Sequence, residues 1–218
     1  MYNEILNITN GDCFNEYLIS RYGGVAVPFC EAMIDGEAVA DIYSEEFVAL
    51  RAKSLHVTEE EYREKMYVCN SLHDKDYQSI RLWFGKDTFC QINLLTLLAY
   101  LEQMKYRGEV KLNYIDDETF EILESDLDVK LGIYRKIYQE VLIFQNVPED
   151  VGVLSARAID LFFDYCSDDG ELAKLVKANS HKKKMDLICL LLERSKEYGL
   201  SDLQAERLID IHLKEETK

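Results

Sequence analysis

The feature that most constrains this chain is a change of pattern near Asp116. Before it, short apolar runs alternate with longer helical stretches. After it, helical spacing takes over. Four runs read as strands: Glu4 to Thr9, Val25 to Val27, Ser79 to Phe84 and Glu109 to Ile115. Pro28 suits the end of the second run rather than its centre. Helical segments separate the strands. Cys13 to Tyr22 follows the turn Asn10-Gly11-Asp12 and carries Phe14, Tyr17 and Leu18 on one face. Further helices are expected over Ser44 to Ser54, from the capping box Thr58-x-x-Glu61, and over Phe89 to Met104. Strands alternating with helices imply a parallel sheet with crossover connections. The expectation is therefore an α/β, Rossmann-like domain of about four strands over residues 1–116, with an α-helical domain over residues 117–218.

The second half has no convincing strand. Val141 to Phe144 sits better at a helix end. Val151 to Cys166, Asp169 to Ala178, Lys184 to Tyr198 and Ser201 to Lys214 all have helical spacing. Gly199 is a helix stop, and Ser201-x-x-Gln204 is a second capping box.

Charge removes some partners. With 41 acidic and 25 basic residues, the formal net charge is −16. That balance opposes nucleic acid, whose binding relies on Lys and Arg neutralising phosphates. The terminal helical pair has the outline of a helix-turn-helix. Its second helix opens with Asp202, Gln204 and Glu206, which suits packing rather than reading DNA. The most apolar stretch, Ile92 to Leu101, is too short to span a bilayer. The start, Met1 to Asn10, lacks a basic and apolar leader, so a cytoplasmic location and no membrane partner are expected. Six single cysteines form no C-x-x-C pair and are expected as free thiols. The four histidines lack metal-ligand spacing and read as surface residues. No metal site is expected, and no cofactor is indicated.

In open parallel sheets, ligands lie outside the carboxyl ends of the strands. Three such ends carry suggestive residues. The first has Asn10, Gly11, Asp12 and Cys13. The second has Glu31 and Asp35. The third has Gly85, Lys86, Asp87 and, one turn on, Gln91. Backbone N–H groups at a helix start favour an anion, although capping by Asp12 accounts for the turn more simply. Cys13 at a helix start has its thiolate favoured but no nearby base in sequence. The carboxylates Asp12, Glu31, Asp35 and Asp87 could cluster for magnesium or acid–base work, against a background of many solvated acids. Trp83, the only tryptophan, suits core packing better than ring stacking on a ligand.

Several of these motifs resemble a bacterial family catalogued as domain of unknown function 1835. Asn10-Gly11-Asp12-Cys13 resembles its Asn-Gly-Asp-Ser opening. Phe29 to Gly36 is similar to its second motif, and Leu82-Trp83-Phe84-Gly85 with Gln91, Asn93 and Leu94 is similar to its third. Gly199-Leu200-Ser201 resembles the closing segment of many members. Cys13 stands where the family usually has Ser, and Gly36-Glu37 where it has Gly-Pro. The resemblance implies the α/β fold and carries no activity with it.

The leading expectation is a small polar or phosphorylated ligand bound at the strand ends. Asn10, Gly11 and Asp12 would contact it, Glu31 would accept a hydrogen bond, and Lys86 would supply charge. Catalysis is left open, with Glu31 or Asp12 as candidate base. The alternative is a non-catalytic interaction protein whose helical half docks a protein partner.

Overall fold

A computed structural model describes residues 5–66, 71–73 and 77–214. The sheet has five strands: β1 (Ile5–Asn10), β2 (Ala26–Phe29), β3 (Ser79–Phe84), β4 (Glu109–Ile115) and β5 (Ile122–Asp128), in the order β2-β1-β3-β4-β5. The first four are mutually parallel. The α/β, Rossmann-like expectation holds, with one correction. β5 is a fifth strand, antiparallel to β4, where only helices were expected. Its residues are mostly exposed, so no inward apolar stripe marks it. Backbone pairing with β4 holds it instead. Pro28 lies within β2 at the sheet edge, where the missing N–H costs no ladder bond.

Alternation in β3 sets the two faces of the sheet. Ile80, Leu82 and Phe84 are fully buried on one side, while Ser79 and Arg81 point to the other. The buried side packs on α4 (Thr88–Gln103), in which thirteen of sixteen residues are buried. A helix apolar all round must be enclosed on all sides. It lies between the sheet and α5 (Tyr134–Tyr138) and α6 (Ala156–Tyr165), and Ile137, Tyr138 and Phe162 join its core. The opposite sheet face carries α1 (Asp12–Tyr22), with Phe14 and Leu18 against Trp83. The Trp83 and Phe14 rings lie 5.7 Å apart, the packing role expected of the tryptophan.

α2 (Glu45–Leu55) starts at the Ser44 cap, and α3 (Glu59–Lys65) at the complete Thr58–Glu61 capping box. Val141 lies in a π-helical turn, Gln139–Ile143, that extends α5, as a helix end rather than a strand. Later in the chain come α7 (Glu171–Ala178), α8 (Lys184–Arg194) and α9 (Asp202–Lys214), with a 3₁₀ turn at Lys196–Tyr198. They enclose a second apolar cluster around Val176, Leu191 and Ile209. His212 is buried there rather than on the surface, because it falls on the inward face of α9. The five described cysteines are free thiols, and Cys69 lies outside the described residues. Among the described residues, no helix is long and apolar enough to cross a membrane.

Candidate functional site

The order of the strands places a reversal between β1 and β3, because α1 and α4 leave their strands toward opposite faces. Ligand crevices form at such points, outside the carboxyl ends. Asn10 ends β1 there. Its Nδ2 donates to Cys90 Sγ at 2.9 Å, and its Oδ1 accepts from Asn93 Nδ2 at 3.0 Å. Asn93 also donates to the Glu31 carbonyl and accepts from Met33 N. Asn10 is thereby tied to the first turns of α4.

On the other side of Cys90 stand two carboxylates. Asp87 caps α4 by accepting from Cys90 N at 2.9 Å. Asp117, just beyond β4, faces it, and the Cys90 thiol donates to Asp117 Oδ2 at 3.4 Å. One oxygen of each carboxylate and the Cys90 sulfur lie within 4.8 Å of one another. Burial and the neighbouring Asp87 carboxylate push Asp117 up to about 7, since two like charges resist ionising together. Burial, with the same acids nearby, pushes the Cys90 thiol well above its ordinary value. Cys90 is thus a neutral thiol at neutral pH, unsuited as a nucleophile. The Asp87–Asp117 pair could hold a proton, a divalent cation or a ligand donor.

Backbone brought close keeps this arrangement tight. A Cβ on Gly85 would meet Asp117 Oδ2 at 1.8 Å, and a Cβ on Gly199 would meet Asp87 Oδ1 at 2.0 Å. Gly199 has φ +68°, a second reason for glycine there. The 3₁₀ turn of the helical half therefore forms one wall. The cleft between them measures about 420 Å³ and is lined by Lys86, Asp87, Asp117, Glu118, Ser195 and Lys196 among others. A second hollow of about 400 Å³ shares Lys86, Asp87 and Lys196. Ser195 is buried, and its Oγ has no hydrogen-bond partner. Lys86 lies at the rim, paired with Glu124 and 4.8 Å above the Tyr114 ring.

Of the ten residues singled out in the sequence, Lys86 and Asp87 line this cleft. Gly85 supports it, and Asn10 stands behind it through Cys90. Gly11 and Asp12 lie beside the end of β2, where Gly11 N donates to the Phe29 carbonyl and the Asp12 carboxylate meets the Cys30 thiol. Asp12 is the first residue of α1, not its cap. Gly11 takes the cap position with φ +80° and no side-chain bond. Cys13 is exposed on the first turn.

Three of the ten are internal joints. Glu31 is buried and accepts from Arg51 Nη2 at 2.9 Å and from the Tyr62 hydroxyl. Asp35 accepts from Tyr165 and Arg207. Gln91 donates to the Gly85 carbonyl and accepts from Ser155 N at 2.9 Å, bridging the strand end to the start of α6. The carboxylates considered as one cluster are therefore dispersed, and Asp87 gains Asp117 as neighbour in their place.

Comparison with protein-family models, curated proteins and solved structures found no match. The site is read from its own chemistry.

Proposed function

We propose that the chain binds a small polar ligand in the cleft at the carboxyl ends of β3 and β4, one that offers hydroxyl or amine donors. The observation that carries this reading is the facing pair Asp87 and Asp117. Among the described residues, neither makes an ion pair, although Lys86 and Lys196 are on the same cleft. Lys86 is engaged by Glu124, and Asp116 and Glu118 add to the acidic wall. Carboxylates accept hydrogen bonds from donors and repel phosphate, so an amine- or hydroxyl-bearing ligand fits better than a phosphorylated one. The buried Ser195 hydroxyl adds one group in need of a partner. The reading concerns binding and assigns no reaction.

Thermal-shift titration with glucosamine, spermidine, ribose, glucose 6-phosphate and AMP tests it. Glucosamine or spermidine should raise the wild-type melting temperature, since ligand at about 100 Kd stabilises by about 2.7 kcal/mol. Asp87→Asn preserves the helix cap and should abolish the rise. Stabilisation by the phosphates alone, or by no compound, overturns the reading.

A further inference from the structure

The sheet face opposite α4 has a groove of its own. The row of side chains across it runs Asn7 on β1, Arg81 on β3 and Lys111 on β4. Arg81 is at the centre of the central strand. Its Nε is buried with no hydrogen-bond partner, and among the described residues its guanidinium makes no ion pair. Its buried Nε sets it apart from Arg21, Arg107, Arg135 and Arg194, which also make no ion pair among the described residues. The neighbouring Lys111 is engaged by Glu109 and Asp128, and Arg51, Arg63, Arg157 and Arg207 each hold a carboxylate.

The groove beside Arg81 measures about 430 Å³, and its walls are apolar: Ile5, Leu18, Tyr22, Val25, Trp83 and Ile122. Tyr22, Val25 and Ile122 are exposed around it. The other polar groups nearby are already paired. Trp83 Nε1 donates to Asn7 Oδ1 at 3.0 Å, and Asn7 Nδ2 donates to the Val25 carbonyl at 3.0 Å. One cationic fork in an apolar groove therefore remains. A guanidinium fork matches a carboxylate in a two-point contact, and apolar walls match a hydrocarbon body. A sugar phosphate would leave its hydroxyls unmatched there.

We propose that this groove binds an amphipathic monocarboxylate, a medium-chain or aryl acid, with its carboxylate on Arg81 and its body against Trp83 and Val25. The site lies on the opposite sheet face from α4 and does not depend on the cleft at Asp87.

Trp83 is the only tryptophan in the chain, so its fluorescence reports on this groove. The intact protein is titrated with octanoate, 4-phenylbutyrate, octan-1-ol and inorganic phosphate. Octanoate and 4-phenylbutyrate should give saturable changes in Trp83 emission, while octan-1-ol and phosphate should not. Arg81→Gln should weaken octanoate binding about tenfold or more. Val25→Glu, at an exposed position, sets a carboxylate at the mouth and should also abolish binding, which covers the case in which Arg81→Gln fails to fold. A response to octanoate that does not saturate, an equal response to octan-1-ol, or unchanged affinity in a folded Arg81→Gln or Val25→Glu protein overturns the proposal.

Discussion

Arg207 Nη1 donates to Asp35 Oδ2 at 3.1 Å, joining residues 172 positions apart. Tyr165 donates to the other oxygen of the same carboxylate at 2.6 Å. The loop after β2 is thus held by two helices from the far end of the chain. Removing the charge with Asp35→Asn should lower stability by about 2 kcal/mol, the usual worth of a hydrogen bond to a charged group. Urea denaturation gives the value, and an unchanged midpoint would show that the joint is energetically idle.

The Glu31–Arg51 pair is fully enclosed, with Tyr62 on the same carboxylate. Breaking one partner of such a pair leaves a buried charge uncompensated, so Glu31→Gln should cost about 3 kcal/mol. Combining it with Arg51→Met should cost less than the two single changes added together. Strict additivity in the cycle would exclude the coupling.

Asp117 gives the protein a pH dependence with a defined sign. Folded, it titrates at about 7, against an ordinary value of 3.8. Between those values the folded chain keeps a proton that the unfolded chain has released, so this group's contribution is present below pH 4 and is lost as pH rises through 7. Asp117→Asn should match the wild type near pH 4 and exceed it in melting temperature near pH 8. An equal gap at both pH values would mean that Asp117 is not raised in the folded chain.

Gly199→Ala should destabilise by more than about 1 kcal/mol, since a side chain at positive φ is strained and its Cβ would overlap Asp87. Chemical denaturation measures the loss. Thermal-shift titration of the same variant with glucosamine should show weaker stabilisation, because Asp87 must move. Wild-type stability in this variant would remove the close approach as a constraint on the site.

What the residues made legible depended on local pattern. Ser79 to Phe84 is a short run rich in bulky apolar residues, Ile80, Leu82, Trp83 and Phe84, so β3 could be read directly, as could the Thr58–Glu61 box. β5 could not, because Ile122-Leu123-Glu124-Ser125-Asp126 has no inward stripe and owes its form to pairing with β4. At the site, Asp87 was legible as a helix start after a strand. Asp117 was not: it sits next to Asp116 in what reads as a polar boundary, and only the sheet brings it back to Asp87. Glu31 looked like a strand-end ligand contact because nothing local reveals that Arg51, on a helix twenty residues later, will neutralise it. Arg81 followed the outward phase of its strand, which ordinarily signals solvent rather than a groove.

The two borders of the sheet bear on how copies of this chain meet one another. An unprotected border strand is a template for edge-to-edge addition and fibrous growth. β2 is four residues long and lacks one N–H at Pro28. β5 carries Glu124, Asp126 and Asp128 along an irregular register, with Asp126 at φ +55°. A second molecule approaching either border would meet a missing donor at one and, at the other, a kinked strand of charged side chains, with Asp126 in no ion pair among the described residues and Glu124 and Asp128 held by Lys86 and Lys111. Raising the salt concentration weakens the second barrier but leaves the kink and the proline in place, so crowded solutions of the folded chain have little route to growth through the sheet.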